Sequence, residues 1–140
     1  MTTYLSTKLR QQIEQDARHR CGYCLSDETL TCIPLSVEHI FPEALGGKTI
    51  HDNLWLACRP CNEYKGIQIQ ATAPETGQKA PLFHPRQDRW HEHFDWNEER
   101  CYIIEKTATR RATVVALQLN RELLVKARKR WVMVGWHPPK

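Results

Sequence analysis

No run of apolar residues in this 140-residue chain approaches the ~18–20 that a membrane span requires, and the opening MTTYLSTKLRQQ has no apolar signal-peptide core. A cytoplasmic protein with no membrane partner is therefore expected. Internal repeats are absent, which argues against an array. A strong excess of one charge is missing too. The formal net charge of +4 and pI near 8.8 permit contact with phosphate backbones without demanding it. With 41% hydrophobic and 26% charged residues, the composition is that of one ordinary folded domain with a modest core.

From Tyr4 to about His19, apolar residues Leu5, Leu9, Ile13 and Ala17 recur every fourth position, which predicts an amphipathic helix. Ile33, Leu35 and Val37 alternate with Cys32, Pro34 and Ser36, predicting a strand from Thr31 to His39 that Pro34 confines to an edge. A loop with Gly46-Gly47 follows, then a strand over Asn53–Ala57. Pro60 suits the first turn of a helix through about Gln70. Residues 71–89 have no sustained period and read as an extended surface segment. Further on, a strand is expected at Cys101–Glu105 and a strand or turn around Thr113–Ala116. A last helix, capped by Asn120, should present Leu123, Leu124, Ala127 and Trp131 on one side.

Six cysteines without a secretion signal favour metal binding over a disulfide framework. Four of them form two Cys-x2-Cys units, Cys21/Cys24 and Cys58/Cys61. Each unit can turn two thiolates toward one point, and four sulfurs with no open position describe a structural Zn²⁺ site. Its binding energy of ~10 kcal/mol or more would serve folding, not catalysis. Separate buried or redox thiols are the alternative, disfavoured because two Cys-x2-Cys units are a stronger signal than one, and a thioredoxin-like reading lacks its βαβ context. Cys32 and Cys101 have no paired neighbour and are given no role.

Between and just beyond the cysteine pairs lies VEHIFPEALGGKTIHDNLWLACRPCNEYKG. Hydrolysis of a phosphodiester needs a base for water, a cation for the charge growing on phosphoryl oxygens, and help for the departing oxygen. His39 suits the base, since an unperturbed imidazole with pKa ~6.5 is largely neutral near pH 7. Glu38 and Asn62 offer hard oxygen ligands of the kind that hold Mg²⁺ or Mn²⁺. Side chains 38 and 39 leave a strand on opposite faces, so a bend near Pro42 and Gly46-Gly47 is expected to bring both to one phosphate. Arg59 and Lys65 are candidates to hold flanking phosphates of the substrate, or are ordinary solvated charges.

Taken together, Glu38-His39-Ile40, Pro42, Gly46-Gly47, Asn53-Leu54, Cys58, Cys61-Asn62 and Lys65 resemble the HNH, or ββα-metal, endonuclease family, over roughly residues 15–70. Glu38 stands where aspartate is more usual, and Asn62 where the last histidine of the family name would be. The resemblance implies a ββα-metal (His-Me finger) core, His39 as general base, Glu38 and Asn62 as ligands of the catalytic ion, and Asn53 bracing the loop that orients His39. It also implies cleavage to 5′-phosphate and 3′-hydroxyl ends. Small bacterial members of the family are similar over most of the length.

Two further groups invite a functional reading. His84, His91 and His93 lie among Arg86, Arg89, Trp90 and Trp96, a pattern that more often marks an irregular packed segment than a second metal or nucleic-acid site. Arg128-Lys129-Arg130 and Arg110-Arg111 can track a backbone, although a charged helix face is usually just solvated. The combined expectation is an α+β chain forming one domain over residues 1–140, with the zinc and catalytic core at about 15–70 and an extension at about 71–140 packed on it. Its expected activity is metal-dependent cleavage of nucleic acid, DNA before RNA. The rivals are a non-catalytic zinc module that binds nucleic acid and a thiol-disulfide protein; oligomeric state, sequence specificity and biological setting are left open.

Overall fold

Ser6 begins the first helix because its Oγ accepts the Leu9 N–H at 3.1 Å, satisfying a donor that the first turn leaves unpaired. The computed structural model describes residues 5–140, so Tyr4 lies outside the described residues. Helix α1 runs over Thr7–Asp16, with Ile13 fully buried and Ala17 nearly so. Arg18 and His19, both at positive φ, then turn the chain toward the first cysteine pair.

The expected strand over 31–39 is shorter than its alternation suggested. Asp27 caps a four-residue helix α2 (Glu28–Thr31), Cys32 closes it in a left-handed conformation, and the strand β1 covers only Ser36–His39. Pro34 thus precedes the strand. β1 pairs antiparallel with β2 (Leu54–Ala57) in the register Ser36 to Ala57 through His39 to Leu54. Helix α3 (Arg59–Lys65) follows with Pro60 in its first turn. It stops short of Gln70 because Gly66 turns the backbone to φ 54°.

The later part contains more regular structure than the sequence pattern indicates. A hairpin of β3 (Gln70–Thr72) and β4 (Lys79–Pro81) lies within the segment expected to be irregular; three-residue strands are too short to register as a period. A one-turn helix α4 (Trp90–His93) leads into β5 (Phe94–Trp96), which pairs with β6 (Ile103–Glu105). The stretch around Thr113–Ala116 is helical, not a strand or turn. Helix α5 (Ala108–Ala116) is capped by Thr107 and buries Ala112, Thr113 and Val114, so packing overrides the β-branched run.

Helix α6 (Glu122–Met133) starts from Arg121, without a side-chain cap. Asn120 does not cap it. Instead the Asn120 side chain accepts from Ile103 N–H at 2.7 Å and donates to Ile103 C=O at 2.8 Å. The buried face of α6 is also rotated from the expected one. Leu124, Val125 and Arg128 face inward, whereas Leu123 is 80% exposed.

Among the described residues, helices and three two-stranded antiparallel sheets make an α+β architecture. It divides into two compact units, one formed by the residues up to Ile69 with His84–Gln87, the other by Gln70–Phe83 with Asp88–Lys140. The first packs around Ile13, Tyr23, Leu54 and Leu56; the second around Phe94, Ile103, Leu117 and Leu119. No described helix is long and apolar enough to cross a membrane.

Candidate functional site

Cys21 and Cys24 sit on the turn after α1, and Cys58 and Cys61 sit at the start of α3. The Gly22 N–H donates to Leu56 C=O at 2.9 Å, which fastens the first turn to β2. All four sulfurs lie within 4.8 Å of one another and all four residues are buried. The Cys24 and Cys58 sulfurs are 3.6 Å apart. Two ligands of a tetrahedral zinc with Zn–S ~2.3 Å stand ~3.8 Å apart, so the spacing fits that ion. Burial pushes the Cys21 thiol well up, while the thiols of Cys21, Cys58 and Cys61 hydrogen-bond to Cys24 and hold it well down. Four buried thiolates of like charge need a compensating cation, and this closed sulfur set can supply a structural zinc site.

β1 carries Glu38 and His39 in opposite directions, as its unbroken pairing with β2 requires. The expected bend between them is absent: His39 still pairs with Leu54. Glu38 points inward. Its Oε1 accepts the Tyr23 hydroxyl at 2.8 Å and lies 3.2 Å from Lys65 Nζ, and its side chain is only 1% exposed. Its Oε2 is buried with no hydrogen-bond partner among the described residues. Burial raises the Glu38 carboxyl above its ordinary value, against the opposing pull of Lys65 and Tyr23. Tyr23 is pushed well up by its own burial and then by the Glu38 charge, so it stays a protonated donor.

His39 points the other way, into an open hollow of about 520 Å³ lined also by Arg10, Leu35, Glu43, Thr49 and Leu54. Its Nε2 lies 2.8 Å from Thr49 Oγ1 and 3.3 Å from Glu43 Oε1. Nδ1 makes no hydrogen bond among the described residues, so the ring is held by one nitrogen while the other faces its surroundings. Arg10 reaches the rim of this hollow with its guanidinium donating to Leu35 C=O at 3.2 Å.

Asn53 closes the loop between the strands. Its Nδ2 donates to the carbonyls of Phe41 at 3.0 Å and Lys48 at 2.9 Å, and its Oδ1 accepts from Phe41 N–H at 2.8 Å. The loop is tight enough that a Cβ on Gly47 would stand 1.8 Å from the Phe41 carbonyl oxygen. Lys65 is buried, and its ammonium donates to Ile40 C=O at 3.0 Å besides pairing with Glu38. In this structure it braces the loop from below. Asn62 is exposed on α3, and Arg59 is exposed with its Nε 2.9 Å from Glu63.

The first unit therefore brings Glu38 and Lys65 together, gathers His39 with Thr49 and Glu43, and leaves Asn62 and Arg59 on the outer surface of α3. Tyr23, Glu43, Thr49 and Arg10 are not singled out by the sequence pattern. Tyr23 carries one signal, its place inside a cysteine pair; the other three have none, since only the fold brings them to His39 or Glu38.

The two further groups resolve differently. Among the described residues, the sets of three or more His, Cys, Asp or Glu that can converge on an ion are the four cysteines and Glu14, His19 and Glu28; His84, His91 and His93 do not form one. His93 instead accepts from Arg110 Nε at 3.1 Å. Of the basic residues, Arg128 is fully buried, donating to Leu119 C=O at 2.8 Å and Cys101 C=O at 3.1 Å, so it cannot track a backbone. Arg110 pairs with Asp88 and Arg111 with Glu105.

Residues 21–75 match the family model described as HNH endonuclease. No curated protein and no solved structure matches the chain.

Proposed function

With the match of residues 21–75 to the HNH endonuclease model as the premise, we propose that this protein hydrolyses phosphodiester bonds of DNA in a divalent-ion-dependent reaction, with His39 as the general base. The observation that carries this reading is the pairing of His39 with a braced loop. One imidazole nitrogen is held 2.8 Å from Thr49 Oγ1 at the edge of an open hollow, and Asn53 closes the loop behind it with three hydrogen bonds. A ring held at Nε2 by Thr49 and Glu43 keeps Nδ1 for water.

In the proposed reaction, His39 Nδ1 takes a proton from water as the water oxygen bonds to phosphorus. The P–O3′ bond then breaks, and the departing 3′ oxygen is protonated from solvent. The products are 5′-phosphate and 3′-hydroxyl ends. We read β1, β2 and α3, in that order, as a ββα-metal core in which Glu38 and Asn62 would hold Mg²⁺ or Mn²⁺, with Glu38 and His39 serving one phosphate from opposite faces of β1. The fit rests on Glu38 Oε2, a buried acceptor without a partner among the described residues, and on the oxygen chemistry of both groups. When bound, the ion supplies positive charge to the phosphoryl oxygens. Arg59, exposed on α3, is assigned a flanking phosphate. Lys65 is assigned to the loop instead, because its ammonium is buried against Glu38 and Ile40. The second unit is proposed to act with the first as parts of one cytoplasmic nuclease, whose four cysteines hold structural zinc.

Plasmid cleavage with Mn²⁺ or Mg²⁺ tests the reading. His39→Ala is expected to lower kcat by ~10²–10⁴-fold, the usual worth of a general base, with zinc content unchanged. Full activity in that variant refutes the role of His39. Tight DNA binding by wild-type protein with no cleavage in either ion favours a non-catalytic zinc module.

A further inference from the structure

Tyr23 lies between two cysteines of the sulfur cluster, yet its hydroxyl reaches out of the cluster to Glu38. The ring is fully buried, and the hydroxyl donates to Glu38 Oε1 at 2.8 Å. Lys65 Nζ approaches the same oxygen at 3.2 Å. Both protein contacts thus fall on Oε1, and Oε2 is left as a buried acceptor without a partner among the described residues. A carboxylate with one oxygen fixed and the other unsatisfied is a preorganised monodentate ligand, because its rotation is stopped before any ion arrives.

We propose that Tyr23 is a positioning residue for the divalent-ion site: by holding Glu38 Oε1 from within the cysteine turn, it presents Oε2 to the ion and couples the geometry of the sulfur cluster to it. This rests on the assignment of Glu38 as an ion ligand. The tyrosine touches neither substrate nor ion. Its contribution is orientation, so its loss weakens ion binding without removing a ligand.

The test is calorimetric titration of Mn²⁺ into the full-length, zinc-loaded protein, with zinc content and thermal midpoint measured in parallel. Wild type is expected to bind Mn²⁺ and Glu38→Gln to lose most of that affinity. Tyr23→Phe, which deletes only the hydroxyl, is expected to weaken the Mn²⁺ Kd on the order of ten-fold, the worth of a hydrogen bond to a charged group. Zinc should stay at one per chain. In a Glu38→Asp background, where the carboxylate is withdrawn by one methylene from the hydroxyl, Tyr23→Phe should cost little more; a merely structural effect would cost the same in both backgrounds. An unchanged Kd in Tyr23→Phe, equal costs in the two backgrounds, or loss of zinc from Tyr23→Phe overturns the inference while leaving Glu38 as a ligand. Wild-type affinity in Glu38→Gln, or no Mn²⁺ binding by wild type, overturns the ligand assignment as well.

Discussion

Single atoms decide the loop that holds His39. Asn53 uses both amide hydrogens and its oxygen on three backbone groups, and the chain fits around it only because Gly47 has no Cβ. Gly47→Ala would set a methyl 1.8 Å from the Phe41 carbonyl oxygen, so the backbone must open. A stability loss of roughly 1–3 kcal/mol is expected in urea denaturation. A further fall in kcat of ~10²-fold is expected, since small displacements of a reacting group are costly. A Gly47→Ala protein with wild-type kcat would show that the loop does not set the position of His39. Arg128 makes the opposite point about reading charge from sequence. Its guanidinium donates to the carbonyls of Leu119 and Cys101 in a buried position. Arg128→Met is therefore expected to destabilise the second unit by roughly 2–4 kcal/mol in thermal melts. The salt dependence of DNA affinity should not change, whereas loss of a phosphate contact would lower its slope by ~1.

At the scale of elements, the segment His84–Gln87 is fastened to β2 and to α1. The Arg86 guanidinium lies 4.8 Å above the Trp55 ring, donates to Leu54 C=O at 2.9 Å and reaches Asp16 at 2.9 Å. His51 Nε2 meets the same Asp16 oxygen at 2.9 Å. Burial pulls the Asp16 carboxyl up, but hydrogen bonds from Gln12, Arg86 and His51, with the Arg86 charge, outweigh it and hold the group below its ordinary 3.8. A folded pKa below the unfolded one means the stabilisation is present above the unfolded value and is lost as pH falls through the folded one. Asp16→Asn should therefore destabilise the protein at pH 7, and the deficit should shrink once pH falls below 3.8. Urea midpoints at both pH values check this; a deficit that persists at low pH would trace the effect to packing. The reach of Arg86 across the chain explains why no local pattern announces it. The helix at Ala108–Ala116 is hidden from the pattern for a related reason, since its Thr-Val-Val run has β-branched propensity and only its burial favours a helix.

For the molecule as a whole, the sulfur cluster joins the turn after α1 to the start of α3 and so encloses most of the first unit between its ligands. Cys58→Ser should lose zinc and unfold that unit, because metal binding worth ~10 kcal/mol or more exceeds what so small a core retains. Circular dichroism with zinc analysis checks it. A folded, zinc-free Cys58→Ser protein would mean the cluster is not structural. Strong chelation of wild-type protein should act the same way, unlike withdrawal of Mg²⁺ or Mn²⁺, which should stop cleavage and leave the fold standing.

What the sequence by itself determined are features written in short spacings: two Cys-x2-Cys pairs, the α1 stripe, the order strand, Gly-Gly loop, strand, helix, and the motif from Glu38 to Lys65. Such features depend on residues a few positions apart, where backbone geometry dictates direction. Only the tertiary structure decided that Glu38 turns inward to Tyr23 and Lys65 while His39 turns outward to Thr49 and Glu43, and that Arg128 is buried instead of exposed. Those outcomes depend on which groups the folded chain brings within reach of each buried polar atom, and a buried charge takes the partners that packing provides.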